Sequence, residues 1–183
     1  MEWRSWLGRS PDKNGEEKNK RMKQLLIVRH AKSSWEDFSV PDFERPLNDR
    51  GKKDAPIMAQ RILDRNIVPD EVITSPAKRA RKTAELFAKT LGLPKENIVE
   101  AKELYEASPE AFYDVVSKAS VSASTLILFS HNPGITAFIN KLTSVSIDDM
   151  PTCAVFALSC DINDWSEFRA AKKEYLFFDY PKM

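Results

Sequence analysis

Two histidines make up the whole imidazole complement of this chain, and each one closes an apolar run: LLIVRH ends on His30 and LILFSH on His131. A histidine directly after a buried strand sits where the chain leaves the core, so it is half sheltered and still reachable by a ligand. In a parallel sheet the C-terminal strand ends border the ligand crevice, which places both imidazoles on one rim. Arg29 precedes the first of them, and Arg79 stands beside an inward-facing Ala80 at the start of a helix that follows a third strand end. Two imidazoles and two guanidiniums around one small volume are an unfavourable assembly unless an anion joins them. The planar fork of arginine fits phosphate oxygens, and the chain turns entering the helices after Ser75 and Asn132 add backbone N–H groups. The chemistry this predicts is phosphoryl transfer. A neutral imidazole attacks phosphorus without a base, and fixed guanidiniums stabilise the charge spread over the equatorial oxygens, so no metal or other cofactor is called for.

Other readings compete residue by residue. His30 alone reads as a satisfied core histidine, and the matching place of His131 is what turns the reading to a joint site. Arg29 has an alternative as the partner of Asp42 or Glu44, although such a pair explains neither Arg79 nor His131. A zinc site built on His30, His131 and a carboxylate lacks the i, i+4 histidine spacing, and Arg29 would repel the cation. Lys78 and Lys82 read as solvated, with Arg81 turned toward the crevice or solvent, and Trp35 either walls the entrance or covers the sheet edge.

The elements that must carry these residues follow from periodicity. Strands are predicted over 24–28, 71–74, 97–101, 125–129, 152–159 and 173–178. A helix places Ala55, Met58, Ala59, Ile62 and Leu63 on one face, and Pro56 predicts that it begins or bends there. A second helix carries the stripe Ala80, Thr83, Ala84, Phe87, Ala88 and Leu91 and stops at Gly92. A third opens at Ser108 and Pro109 and turns Phe112, Val115 and Val116 inward, and a fourth does so with Ile135, Phe138, Ile139 and Leu142. Alternating strands and helices predict an α/β fold: a three-layer α/β/α sandwich with a mostly parallel sheet.

Composition bounds what remains. A chain of 183 residues with 42% hydrophobic residues can bury one core, and 28 Lys plus Arg against 27 Asp plus Glu leave a net charge of +1. That balance offers no general attraction to nucleic acid or to an anionic membrane, so an anion site has to be local. Residues 1–21 are polar and aperiodic and are expected to form a flexible tail ahead of a single catalytic domain over 22–183, with Met22 an alternative start. No apolar stretch reaches the roughly 20 residues of a membrane span, and no secretory leader is apparent. Cys153 and Cys160, placed on one strand with opposite faces, are not expected to pair, which with the rest predicts a cytoplasmic setting.

Three segments carry a resemblance. RHAKS (29–33), SPAKRARKTA (75–84) and SHNPG (130–134) resemble, in order and spacing, the motifs of the histidine phosphatase superfamily, also called phosphoglycerate-mutase-like. The compact length, RPLNDRG after the first loop and the lack of a large inserted cap make the likeness strongest to its small SixA-type phosphohistidine phosphatases, over residue 23 to about 181. The resemblance implies that His30 is the nucleophile and that Arg29, Arg79 and His131 hold the phosphoryl oxygens, with Ser33 at the hydroxyl position of the first motif. Ala31 stands where the family usually has glycine, and Glu36 stands where mutase-type members have asparagine, which argues against a sugar-phosphate mutase. Glu106 matches the place of a proton donor, Glu103 is its alternative, and SixA-type members can lack a dedicated acid. The expected substrate is protein phosphohistidine. The alternatives are a small phosphorylated metabolite, or a noncatalytic phosphate-binding module if His30 is unreactive.

Overall fold

The computed structural model describes residues 22–182, and the expected tail over 1–21 lies outside the described residues. Its frame is a six-stranded sheet in the order β3-β2-β4-β1-β5-β6. The strands are β1 (Met22–Arg29), β2 (Glu71–Thr74), β3 (Ile98–Glu100), β4 (Thr125–Ser130), β5 (Val155–Asp161) and β6 (Lys173–Asp179). β1, β4, β2 and β3 run parallel, β5 is antiparallel to β1, and β6 is antiparallel to β5. The helices are α1 (Asp49–Leu63), α2 (Lys78–Leu91), α3 (Pro109–Ser117) and the short α4 (Gly134–Ile139).

Strand alternation sorts the core into two halves. Leu25 and Ile27 of β1, level with Leu126 and Leu128 of β4 and with Leu158 and Phe156 of β5, pack under Phe112, Val116, Ile135 and Phe138. Their neighbours Leu26, Val28, Ile127, Phe129, Val155 and Ala157 face the other way, against Ala55, Met58, Ile62, Ala84 and Phe87. Because both faces of the central strands are covered, they read as unbroken apolar runs rather than as alternation. The α/β/α layering and mostly parallel sheet expected from the sequence are therefore present.

One local alternative is decided and one expectation is corrected. Of the two alternatives at Pro56, α1 does not begin there: the Asn48 side chain accepts a hydrogen bond from Gly51 N and starts the helix at Asp49, with the proline inside it. The cap and the buried stripe outweigh the one ladder bond that proline removes. Cys153 is not on a strand. It occupies a left-handed turn (φ 63°) before β5, with its N–H directed to the carbonyls of Arg29 and His30. It packs in one core half and Cys160 in the other, and both are free.

Candidate active site

Register delivers the histidines. Arg29 lies level with Ser130 across β1 and β4, and His30 N donates to Ser130 O at 3.0 Å, so His30 and His131 leave neighbouring strands side by side. Their ring centroids are 5.0 Å apart. β2 ends one strand further along, where Ser75 N donates to Phe129 O at 2.9 Å and brings the Ser75 hydroxyl within 2.7 Å of His131 Nε2. α2 then turns Arg79 inward while Lys78, Arg81 and Lys82 stay exposed, Arg81 beside Glu100 and Lys82 beside Glu85.

The hydrogen bonds of His30 assign its tautomer. Nδ1 lies 2.8 Å from the Ala31 carbonyl, which can only accept, so Nδ1 carries the proton. Arg79 Nε donates to Nε2 at 3.2 Å, so the lone pair of Nε2 is directed at the guanidinium. The backbone that sets this pose is braced by Thr83, whose hydroxyl accepts from Ala31 N at 3.0 Å and donates to Arg79 O at 2.7 Å. Burial, reinforced by the charges of Arg79, Arg29 and Arg45, pushes the His30 pKa down to about 3 against the opposing Ala31 hydrogen bond. His131 is pushed down to about 2, again first by burial and then by His30 and the three arginines. Both imidazoles are neutral at neutral pH, and neutral is the reactive form of a histidine nucleophile.

A third arginine joins them that sequence reasoning did not single out. Arg45, in the RPLNDRG segment, is buried, with its guanidinium 3.5 Å from the centroid of the Trp35 ring. This places Trp35 in the cleft wall. Asp42, on a 3-10 turn (Asp42–Glu44), bridges the arginines: its Oδ1 lies 3.1 Å from an Arg45 terminal nitrogen, its Oδ2 accepts from Arg79 at 2.9 Å, and Tyr105 donates to the same oxygen at 3.1 Å. The pairing considered between Arg29 and Asp42 or Glu44 is not formed. Arg29 instead donates to Asp149 Oδ2 at 3.2 Å and to the Met150 carbonyl, because its strand end points to the loop before β5. Glu44 sits 4.0 Å from Lys78.

These groups open into one cleft of about 780 Å³, lined by Arg29, His30, Ser33, Arg45, Arg79 and His131 at its charged end. Glu106 lines the mouth, exposed and in a left-handed backbone conformation (φ 52°), whereas Glu103 is outside the lining. No described histidine, cysteine or carboxylate completes a third ligand around the two imidazoles. Among the described residues, the buried side-chain nitrogens and oxygens without a partner are Arg29 Nε, Arg45 Nε and Nη1, and His131 Nδ1. All four belong to residues of this cleft. Each unmet buried polar atom costs about 1–3 kcal/mol, so the residues that line the cleft carry a polar cost that the fold itself does not relieve.

Comparison with known proteins adds the family and the fold. Residues 25–114 match the sequence profile of the histidine phosphatase superfamily (branch 1). A chloroplastic protein of Arabidopsis thaliana is 30% identical over 153 residues, 79% of this chain and 70% of that one. In fold the chain is similar to a SixA protein of Agrobacterium tumefaciens, with a TM-score of 0.72 at 24% identity over 87% of this chain and 98% of that one. It is also similar to the protein histidine phosphatase SixA complexed with tungstate, with a TM-score of 0.71 at 19% identity over 87% and 97% of the two chains.

Proposed function

The chain belongs to the histidine phosphatase superfamily, and from that premise we propose that it is a metal-independent phosphatase that works through phosphohistidine on His30, with protein phosphohistidine as substrate. The observation that carries the reading is the tautomer of His30: an Nε2 lone pair held by Arg79, in a cleft that Arg29 and Arg45 also line. In the first step Nε2 attacks phosphorus. The P–N bond to His30 forms as the bond to the leaving group breaks, and the leaving atom takes a proton. In the second step water attacks the phosphorus and gives up a proton to the carboxylate that donated one in the first step, the bond to His30 breaks with its electron pair returning to Nε2, and phosphate departs.

Arg29, Arg45 and Arg79 serve the transition state, in which charge spreads over the equatorial oxygens, and their positions are set before substrate arrives. Ser75 holds His131. Its hydroxyl oxygen accepts from Ala77 N and its proton is available to His131 Nε2, which leaves Nδ1–H as a further donor to the phosphoryl group. Ser33 contributes at the floor. Glu106 is assigned the proton donation, and its exposure suits a substrate whose leaving group departs readily. An imidazole leaving from a P–N bond is such a group, whereas an alkoxide needs a stronger, better sheltered acid. Access fits as well, since the cleft exceeds the size of one phosphoryl group and opens at the surface, as a protein-borne phosphate requires.

The test is trapping. Purified protein mixed with a phosphohistidine-bearing protein and quenched in alkali should carry phosphate on His30, and His30→Ala should abolish both label and turnover. Retained turnover in His30→Ala would overturn the reading. Faster turnover of a phosphorylated metabolite than of phosphohistidine protein would replace the substrate but keep the chemistry, and phosphate binding without turnover would make the chain a binding module.

A further inference from the structure

The residue that the proposed chemistry leaves without a role is Asp42, and its position is unusual for a carboxylate. A phosphoryl group would bring three nonbridging oxygens to Arg79, Arg45 and their neighbours. Asp42 already brings three oxygens there. Its backbone carbonyl accepts from Arg79 Nη1 at 2.5 Å, its Oδ2 accepts from Arg79 Nη2 and from Tyr105, and its Oδ1 pairs with Arg45. We propose that Asp42 is a specificity-determining residue: an internal anion that occupies the phosphoryl-binding face of Arg79 and Arg45 in the free enzyme and must be displaced by the incoming group. This rests on reading the cleft as a phosphoryl site.

Three features support displacement over a fixed structural bridge. First, the bridge is not buried: the Asp42 side chain is 49% exposed, while those of Arg79 and Arg45 are 6% and 9% exposed. Second, the segment carrying Asp42 is pinched at its base. Ser33 and Leu47 form an isolated β-bridge, Ser34 N donates to Pro46 O at 2.9 Å, and Asn48 N donates to Lys32 O at 3.0 Å. A loop closed at its neck in this way can shift its tip without disturbing β1 or α1. Third, the same guanidinium that Asp42 holds also caps the nucleophile, since Arg79 Nε–H is spent on the His30 lone pair. A phosphoryl group that takes over the fork of Arg79 releases Asp42 and uncovers Nε2 in one rearrangement. A dianionic tetrahedral group can outbid one carboxylate for two guanidiniums, and a singly charged carboxylate ligand cannot. Asp42 thus screens out carboxylates, which would otherwise fit the same arginines.

The prediction has a sign that a positioning role reverses. Calorimetric titration of the full chain with orthophosphate should show binding about tenfold tighter in Asp42→Asn and Asp42→Ala than in wild type, because the competing charge is gone. Asp42→Glu, which keeps the charge, should not tighten it. Acetate should compete with orthophosphate in Asp42→Ala, where the vacated place admits a carboxylate, and should leave wild-type binding unchanged. Unchanged or weaker phosphate binding in Asp42→Asn, or acetate competing equally in wild type, would overturn the proposal. If wild type itself binds no orthophosphate, the phosphoryl-site reading fails instead, and the two failures are distinct.

Discussion

Neutral histidines held among three arginines store a measurable acid sensitivity. An unfolded chain titrates His30 and His131 near the ordinary value of 6.5, whereas the folded site holds them at about 3 and about 2, first by burial and then by the neighbouring positive charge. With folded pKa values below the unfolded ones, the unfolded chain binds more protons in that window, so stability rises with pH through it and is lost as pH falls. From about pH 7.5 to about pH 4.5, each histidine crosses roughly two units below its unfolded pKa, at about 1.4 kcal/mol per unit. That is about 2.7 kcal/mol per group and roughly 5 kcal/mol for both, a large share of the 5–15 kcal/mol that typically separates folded from unfolded states. Carboxylates titrate over part of the same range, so the measurement is a difference of differences. Urea unfolding at the two pH values is compared between wild type and His30→Gln/His131→Gln, in which the carboxylates are unchanged. The double variant should lose most of the roughly 5 kcal/mol of acid sensitivity while its stability near neutrality changes far less. Equal acid sensitivity in both proteins would refute the electrostatics of the site, because it would mean that both imidazoles already carry a proton or meet water freely, whereas a loss of about half would leave only one of them so. The neutral nucleophile would then lose its basis.

Other outcomes follow from single contacts. Arg79→Lys keeps the charge but cannot reach His30 Nε2 and both Asp42 acceptors at once, so kcat should fall by about 10²–10³ with stability little changed; steady-state kinetics with near wild-type kcat would remove the fork from the mechanism. Glu106→Gln should slow turnover of p-nitrophenyl or alkyl phosphates increasingly as the leaving group worsens and should barely touch phosphohistidine, and a uniform loss across leaving groups would reject the proton-donor role. Gly134→Ala would bring a Cβ within 1.9 Å of the Ala107 carbonyl oxygen, a backbone contact that cannot yield cheaply. Its thermal midpoint should drop by the equivalent of about 1–3 kcal/mol, and an unchanged midpoint would show that the loop bearing Glu106 moves freely.

Legibility in the sequence tracks how each residue is positioned. Arg29, His30 and His131 sit at strand ends, and strands buried on both faces announce themselves as unbroken apolar runs. Arg79 was readable because it adjoins the apolar stripe of α2. What no periodicity could convey is that Arg29 and Ser130 share a level, the register that brings the two rings 5.0 Å apart. Pro56 offered a helix start that α1 does not take, since the Asn48 cap and the α1 stripe together outweigh one missing N–H. Arg45, Asp42 and Asp149 were not assigned because loops deliver them. Asp42 meets Arg79 across 37 residues and Asp149 meets Arg29 across 120, and before folding each is one more charge on a polar segment.

The three guanidiniums of the cleft are balanced locally, by carboxylates that loops deliver. A site of bare arginines would attract any anion and would carry the full repulsion of its own charges in the free enzyme. Here Arg79 and Arg45 share Asp42 and Arg29 has Asp149, so the folded cleft is close to charge-paired before substrate arrives. Yet the pairing is incomplete where it matters for chemistry: Arg29 Nε, Arg45 Nε and Nη1, and His131 Nδ1 stay unsatisfied and buried. Resident carboxylates therefore offset the charge without satisfying the geometry. A ligand that exchanges with Asp42 gains only if it engages the guanidiniums better than Asp42 does, and a tetrahedral group with oxygens pointing several ways can do so where a planar carboxylate cannot.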